Sequence, residues 1–570
     1  MRNEYLVGAA LLAMILPDAT VRADDIPPAP RATPAWSWQG LYAGGHVGAF
    51  AGITNLSDPD GTALFGGSVM SRGFLAGLQV GYNWQPAPQL VLGLEADASL
   101  MSGYGANTCL QSSPSTIGAN CKLTPREIAT LTGRFGVVTE PRGRTLIYGK
   151  AGAAWMRADA SVNPNHNVDT TDLGYTGLTF SDSPDGGLPT GGSISAWGAT
   201  VGAGVEYAIG SAWSLKMEYN YLRFAGMNVL TPPTTEITPS GNVTNLPSSS
   251  SSNITQDFHI VRFGLNYHFG GGARPSRDDG PPAGSAVAAP WTPGWEFEAG
   301  ARYWYSSGSY QNSNGAPNVI VSRLSYNNMA GHSGEIFGRL DTPVDLFVKG
   351  FFGAGAISQG QMYDEDWGIP VGGVPLGYTA TQSSIWGSLN YATADIGYNL
   401  MRGPDHKVGL FVGYNLYQTT ANAMGCAQIV QPTLGGCSTP YPATTYVISQ
   451  FDTWQSIRIG VSAEARIWDR LRLGGDFAYL PYVGYNGLDG HLIRNPAVFF
   501  PFNGTGNGVQ AEIIATYDLT SAFSLGIGGR YWAMWTNAAS QSDMPSNTIY
   551  ANTDRYGVFL QASYKFLPAR

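Results

Sequence analysis

The sequence predicts an all-β fold of two tandem transmembrane antiparallel β-barrels, the first of eight strands and the second of ten. Three observations predict it. Charged residues are only 12% of the 570, while Gly numbers 75 and aromatics reach 12%; an average soluble protein is roughly 25% charged. Segment after segment alternates apolar and polar residues with a period of two, the signature of strands with one apolar face. The alternation halts at "GGARPSRDDGPPAGSAVAAPWTPG" and then restarts. Mean hydropathy is near zero. No run of 18 or more apolar residues offers a transmembrane helix, so a membrane-spanning chain of this composition must cross with strands.

The elements follow in order. Arg2 precedes an apolar core, Tyr5 to Leu16, and Val21-Arg22-Ala23 offers small residues where a peptidase would cut. Residues 1–23 are therefore expected to be a signal peptide; a short N-terminal helix is the alternative. No Cys lies near the cut, so no lipid anchor is implied. Residues 36–270 hold eight strands, beginning near Leu41, Gly73, Leu90, Ala129, Leu146, Ser195, Trp213 and Phe258. In "GFLAGLQVGYNW", Phe74, Ala76, Leu78, Val80, Tyr82 and Trp84 share one face, with Gln79 and Asn83 on the other. The polar face of these strands carries Glu95, Asp97, Glu206 and Glu218 against Arg134, Lys150, Lys216 and Arg262. An eight-strand lumen is only wide enough for side chains to fill, so these charges are expected to pair rather than line a pore.

Residues 271–294 have the composition of a linker, expected in the periplasm. Residues 295–566 hold ten more strands, beginning near Trp295, Arg323, Leu346, Tyr391, Lys407, Trp454, Leu471, Val509, Phe523 and Tyr556. Both halves end in an aromatic-x-Phe strand, at Tyr267 to Phe269 and at Tyr564 to Phe566. A repeated terminal strand favours two barrels over the alternative, one barrel of eighteen strands. Inward charges of both signs, among them Arg302, Lys349, Asp395, Arg458, Glu512 and Arg530, predict a filled second lumen.

Four Cys fall into two local pairs, Cys109 with Cys121 and Cys426 with Cys437. Each closes a loop of about a dozen residues, a constraint worth on the order of 3 kcal/mol. Their polar, turn-rich surroundings predict surface-loop disulfides formed after export; free thiols are the alternative. Metal ligation lacks nearby His or further Cys, and no cofactor or metal is expected. A net charge of -9 argues against nucleic acid as a partner.

One stretch stands out chemically. "QMYDEDWG", Gln361 to Gly368, sets three carboxylates in a row in a chain poor in charge. It is expected in the loop after the third strand of the second barrel. "LDGH", Leu488 to His491, is expected in the loop after the seventh. Both loops leave the same rim, four strands apart in a ring of ten, so they face each other. Positions i and i+2 project to one side of an extended chain. Asp364 and Asp366 can thus converge, as can Asp489 and His491, with Glu365 pointing away. Two close carboxylates resist double ionisation, and Asp489 can orient His491. Met362, Tyr363 and Trp367 are expected to wall this site against water. A solvated loop tip is the bland alternative for either motif alone.

Residues 36–270 resemble the alphaproteobacterial outer-membrane immunogenic proteins, small eight-stranded OmpA-like barrels, through "WQGLYAGGHVGAFAG", "GLQVGYNWQ" and "VRFGLNYHF". Residues 295–566 resemble the omptins, ten-stranded outer-membrane proteases, through "GQMYDEDW", "VGLFVGY" and "LGGDFAYLPYVGYNGLDGH". The second resemblance implies a water-activating set of Asp364 with Asp366 and Asp489 with His491, acting as an aspartic-type endopeptidase on a peptide or protein at the cell surface. Outer-membrane lipid and lipopolysaccharide are the implied surroundings, and the outer membrane of a Gram-negative bacterium the implied location. Omptins hold a basic substrate side chain with further carboxylates, but the matching positions here are Gly487 and Gly308. The lipopolysaccharide-binding acid and base after Tyr414 are replaced by Leu416 and Gln418. The expected specificity is therefore other than dibasic. A non-catalytic surface antigen or structural barrel, and a diffusion pore, are the competing readings.

Overall fold

The structure, a computed structural model, describes residues 36–56, 68–109, 119–139, 143–163, 190–209, 212–229, 234–237, 243–246, 252–270, 272–273, 293–316, 319–367, 370–371, 374–375, 378–430, 436–541 and 544–567. The expected signal peptide and most of the expected linker lie outside these residues. The first barrel is a closed ring of β1 (Gly40–Leu56), β2 (Ser68–Ala87), β3 (Leu90–Cys109), β4 (Ala119–Val138), β5 (Thr145–Asn163), β6 (Thr190–Ala208), β7 (Trp213–Val229) and β8 (Ser252–Phe269). The second closes β9 (Glu296–Ala316), β10 (Val319–Asp341), β11 (Leu346–Trp367), β12 (Tyr378–Arg402), β13 (His406–Val430), β14 (Tyr441–Arg466), β15 (Leu471–His491), β16 (Val498–Asp518), β17 (Phe523–Gln541) and β18 (Met544–Leu567). Each ring shuts by an antiparallel pairing of its first and last strands, β1 with β8 and β9 with β18.

The strands are those the alternation predicts, but several begin earlier: β4 at Ala119, β8 at Ser252, β12 at Tyr378, β14 at Tyr441 and β16 at Val498. The reason is physical. Alternation marks only the part of a strand with lipid on one side, and about 10 residues suffice to cross a bilayer. Beyond it no lipid holds the outer face apolar, so the pattern fades while the backbone ladder continues.

The charges on the inner face of the first barrel pair as expected. Lys150 Nζ lies 2.9 Å from Glu95 and 2.8 Å from Glu218, and Lys216 Nζ lies 2.9 Å from Glu95. Arg134 reaches Glu206 and Arg262 reaches Asp97, each at 2.7 Å. Outward apolar residues such as Leu78 and Leu94 are exposed, the face a bilayer would cover. One end of this barrel is closed by Trp36 and Trp38, edge-on to His268, with Trp38 Nε1 donating to the Gly143 carbonyl at 2.9 Å. The second lumen mixes signs likewise: Arg530 bridges Glu335 and Glu512 at 2.7 Å each.

The two barrels pack side by side. Phe74 meets Tyr479 with ring centroids 5.1 Å apart and Phe263 meets Phe477 at 5.7 Å, with the small side chains of Ala49, Ala511 and Ala533 in the same buried cluster. Within a membrane, lipid tails are as apolar as the side chains, so close packing and polar contacts must hold such a seam. Cys109 is joined to Cys121 and Cys426 to Cys437. All four cysteines are buried; Cys109, Cys121 and Cys426 lie on strands, while Cys437 lies in the turn between β13 and β14. The expectation of exposed loop bridges is corrected, because β3, β4 and β13 run on past the membrane and carry Cys109, Cys121 and Cys426 with them. Non-reducing peptide mapping should return these two pairs and no bridge between barrels.

Candidate active site

The two acidic motifs sit on strands, not in loops. Asp364 and Asp366 are in the last turns of the pleat of β11, and Asp489 and His491 end β15. Asp364 stands opposite Leu324 and Thr381, and Asp489 opposite Gln450 and Phe500, in continuous ladders. The period of two then turns both members of each pair to one face. All four side chains line one cleft of about 560 Å³ at the mouth of the second barrel. They lie near the far ends of strands 22 and 21 residues long, outside the roughly 10 residues that cross a bilayer.

His491 Nε2 is 3.0 Å from Asp489 Oδ2 and its ring stands edge-on to Phe500. Asp489 is buried. Burial, then the Asp366 and Asp489 carboxylates, push the Asp364 carboxyl well above the ordinary range. Burial holds Asp366 up to about 6, while the Ser322 hydroxyl and the His491 and Arg494 charges pull it down. Three carboxylates and an imidazole in one cleft can therefore hold a proton near neutral pH and bind a water between the pairs.

The expected wall is partly wrong. Met362 is buried on the cleft side. Tyr363 and Trp367 share the opposite parity and face outward: Tyr363 donates to Gln361 at 2.9 Å, and Trp367 packs with Ala380 and Val430. Glu365 does point away from the cleft, but not into water. It is 1% exposed and accepts a hydrogen bond from Thr108 of the first barrel. Leu324, Ser322 and Phe500 supply the wall instead.

Sequence reasoning missed three features. Arg494 enters the cleft three residues after His491; a base so close to "LDGH" was the available signal. Asp452, on the inner face of β14, accepts hydrogen bonds from Tyr485 Oη (2.8 Å) and Gln450 Nε2 (2.7 Å), and Tyr485 Oη is 2.6 Å from Tyr310 Oη. This network explains Gly487: a Cβ there would run into Tyr485 Oη and come within 3.2 Å of Asp452 Oδ1. Arg555 explains Gly308 in the same way. Its Nη2 lies 2.8 Å from where a Cβ at 308 would stand, and its Nε donates to Tyr417 Oη at 2.9 Å. Leu416 and Gln418 are half-buried on the outer face of β13, with Gln418 Nε2 donating to Thr453 Oγ1 at 3.3 Å. Among the described residues no cluster of His, Cys, Asp and Glu is arranged to hold a metal ion.

Two family models match separate parts of the chain. Residues 10–269 match the family model for the outer membrane protein beta-barrel domain, and residues 310–559 match that of the omptin family. The 31 kDa outer-membrane immunogenic protein of Brucella melitensis biotype 1 is 28% identical over 271 residues, 46% of this chain and 98% of that protein. The 22 kDa outer membrane protein of Rhizobium leguminosarum bv. viciae is 31% identical over 188 residues, 33% of this chain and 65% of that protein. Among solved structures, the outer membrane protease OmpT of Escherichia coli is 17% identical with a TM-score of 0.39, covering 48% of this chain and 97% of that one. The chain is an outer-membrane β-barrel protein of the Gram-negative type, its first half similar to the outer membrane protein beta-barrel domain and its second half similar to the omptins.

Proposed function

We propose that the second barrel is an endopeptidase in which a water molecule is activated between Asp364 with Asp366 and Asp489 with His491. The observation that supports this is their convergence: four side chains from strands on opposite sides of the ring line one cleft. His491 Nε2 faces Asp489, which leaves Nδ1 to take a proton from water. The water oxygen then attacks the peptide carbonyl carbon. The imidazolium returns its proton to the departing amide nitrogen, and the Asp364 and Asp366 pair, short of full ionisation, orients the water.

Specificity follows from the floor. Arg555 fills the space beside Gly308, and Tyr485 and Asp452 fill that beside Gly487. A guanidinium at the first position repels a basic side chain, so the preferred peptides are other than dibasic. In this reading residues 1–23 are removed on export, and residues 36–270 and 295–566 are the two working units, joined through 271–294. The first barrel is a surface-exposed structural unit, in keeping with relatives named for being immunogenic.

The test is direct. Full-length protein folded in detergent with lipopolysaccharide should cleave members of a broad peptide library, read by mass spectrometry, and its cut sites should not be enriched in Lys or Arg pairs. If nothing in the library is cut, the non-catalytic surface-barrel reading replaces this one.

A further inference from the structure

The triplet Asp364-Glu365-Asp366 is split by the barrel wall. The outer two face the cleft, and the middle one enters the seam between barrels. There Thr108 Oγ1 donates to Glu365 Oε1 and accepts from Arg323 Nη1 at 3.0 Å, while Arg323 Nη2 donates to Asn120 Oδ1. The four side chains form a square. Thr108 and Asn120 stand opposite each other in the β3–β4 ladder, and Arg323 and Glu365 do so in the β10–β11 ladder. Glu365 and Arg323 are almost wholly buried. Charges taken out of water this completely are tolerated only when well paired.

The Cys109–Cys121 bridge ties the same two strands of the first barrel, one residue beyond Thr108 and Asn120. A second anchor has the same logic. Arg72 of β2 pairs with Asp554 at 2.7 Å and donates to Asn552 at 2.7 Å and to Ser309 at 2.5 Å. Asp554 and Ser309 are the chain neighbours of Arg555 and Gly308. In a strand, adjacent residues face opposite sides, so Glu365 is the back of the cleft pair Asp364 and Asp366, and Asp554 and Ser309 are the backs of the lumen residues Arg555 and Gly308.

We propose that the first barrel is a positioning element for the cleft: its disulfide-braced β3–β4 hairpin holds Glu365 and Arg323 from behind and so fixes Asp364 and Asp366. The proposal rests on the proteolytic reading for its catalytic consequence, but not for its structural one. Thr108, Asn120, Arg323 and Glu365 are positioning residues. Their loss should misplace the carboxylates without touching substrate, and small misplacements of reacting groups cost rate rather than binding.

The experiment uses the full chain in detergent micelles with Thr108→Val, Thr108→Ser, Cys121→Ser and, as a control at an exposed ion pair between β4 and β5, Arg126→Gln. Thr108→Val should lower kcat about tenfold with KM nearly unchanged. It should also speed amide exchange across residues 361–367 about tenfold. Cys121→Ser should act alike, Thr108→Ser should restore both values, and Arg126→Gln should alter neither. Glu365→Gln removes a negative charge from behind the pair and should move the acid limb of the pH–rate profile downward. Wild-type kcat and exchange in both Thr108→Val and Cys121→Ser would overturn the proposal. If the wild-type protein cleaves nothing, exchange alone decides: faster exchange in Thr108→Val upholds the clamp while the proteolytic reading falls, and unchanged exchange removes the clamp.

Discussion

Asp364→Asn and His491→Ala should each lower turnover by on the order of 10²–10⁴-fold, because each removes a participant in the proposed proton transfer. The barrel should still fold. The Asp364 carboxyl is held well above its ordinary range by burial and by Asp366 and Asp489, so its ionised form works against the native state. A carboxyl raised by folding contributes stability at low pH that is lost as pH rises through its folded value; Asn, which never ionises, escapes that loss. The same logic gives the pH profile. Burial holds Asp366 up to about 6, so the wild-type rate should rise as pH increases through about 6, with a fall at higher pH once Asp364 also loses its proton. The two belong to one coupled pair, and the limbs report the pair rather than either residue. Asp364→Asn and His491→Ala variants that cleave as fast as wild type would show the site to be elsewhere.

Glu95→Leu should have the largest effect on stability. Lys150, Lys216 and Arg134 all meet this one carboxylate in a lumen closed to water. Its removal leaves Lys150 and Lys216 to share Glu218 and leaves Arg134 with Glu206 alone, so the cluster holds an uncompensated buried positive charge, and breaking one buried pair alone costs about 3–5 kcal/mol. The exposed Arg126–Asp159 pair, at the same 2.7 Å separation as the tightest buried ones, should contribute roughly 0–1 kcal/mol because water screens it. Urea titration followed by the heat-modifiable shift in gel mobility would separate the two cases. Equal midpoints for Glu95→Leu and Arg126→Gln would mean that the lumen is wetter than its burial indicates.

The period of two made both barrels, their order and their inward charges legible, because a lipid face on one side forces alternation along every crossing strand. Lys150, whose facing is ambiguous from its neighbours Gly149 and Ala151, needed the structure. The four cleft residues were legible as two i, i+2 motifs at one rim. Their placement on strands was not, since alternation fades outside the bilayer. The seam was invisible for a sharper reason. Phe74 and Phe263 look lipid-facing in sequence, as do all outward apolar residues, and nothing local distinguishes a face covered by lipid from one covered by a second barrel. Glu365 was placed on the correct side of its strand, but that side meets Thr108 and not solvent.

The strands of the second barrel are 19 to 26 residues long, about twice what a bilayer needs. The surplus gives the cleft altitude. Its mouth stands at the end of strands longer than a bilayer requires, on a hydrogen-bonded wall whose outer face is partly shielded by the neighbouring cylinder. A mouth raised in this way would be out of reach of a chain lying flat among the headgroups, and the first barrel covers one flank of the approach. On the proposed proteolytic reading, height and flank together would restrict which chains reach the acidic pairs.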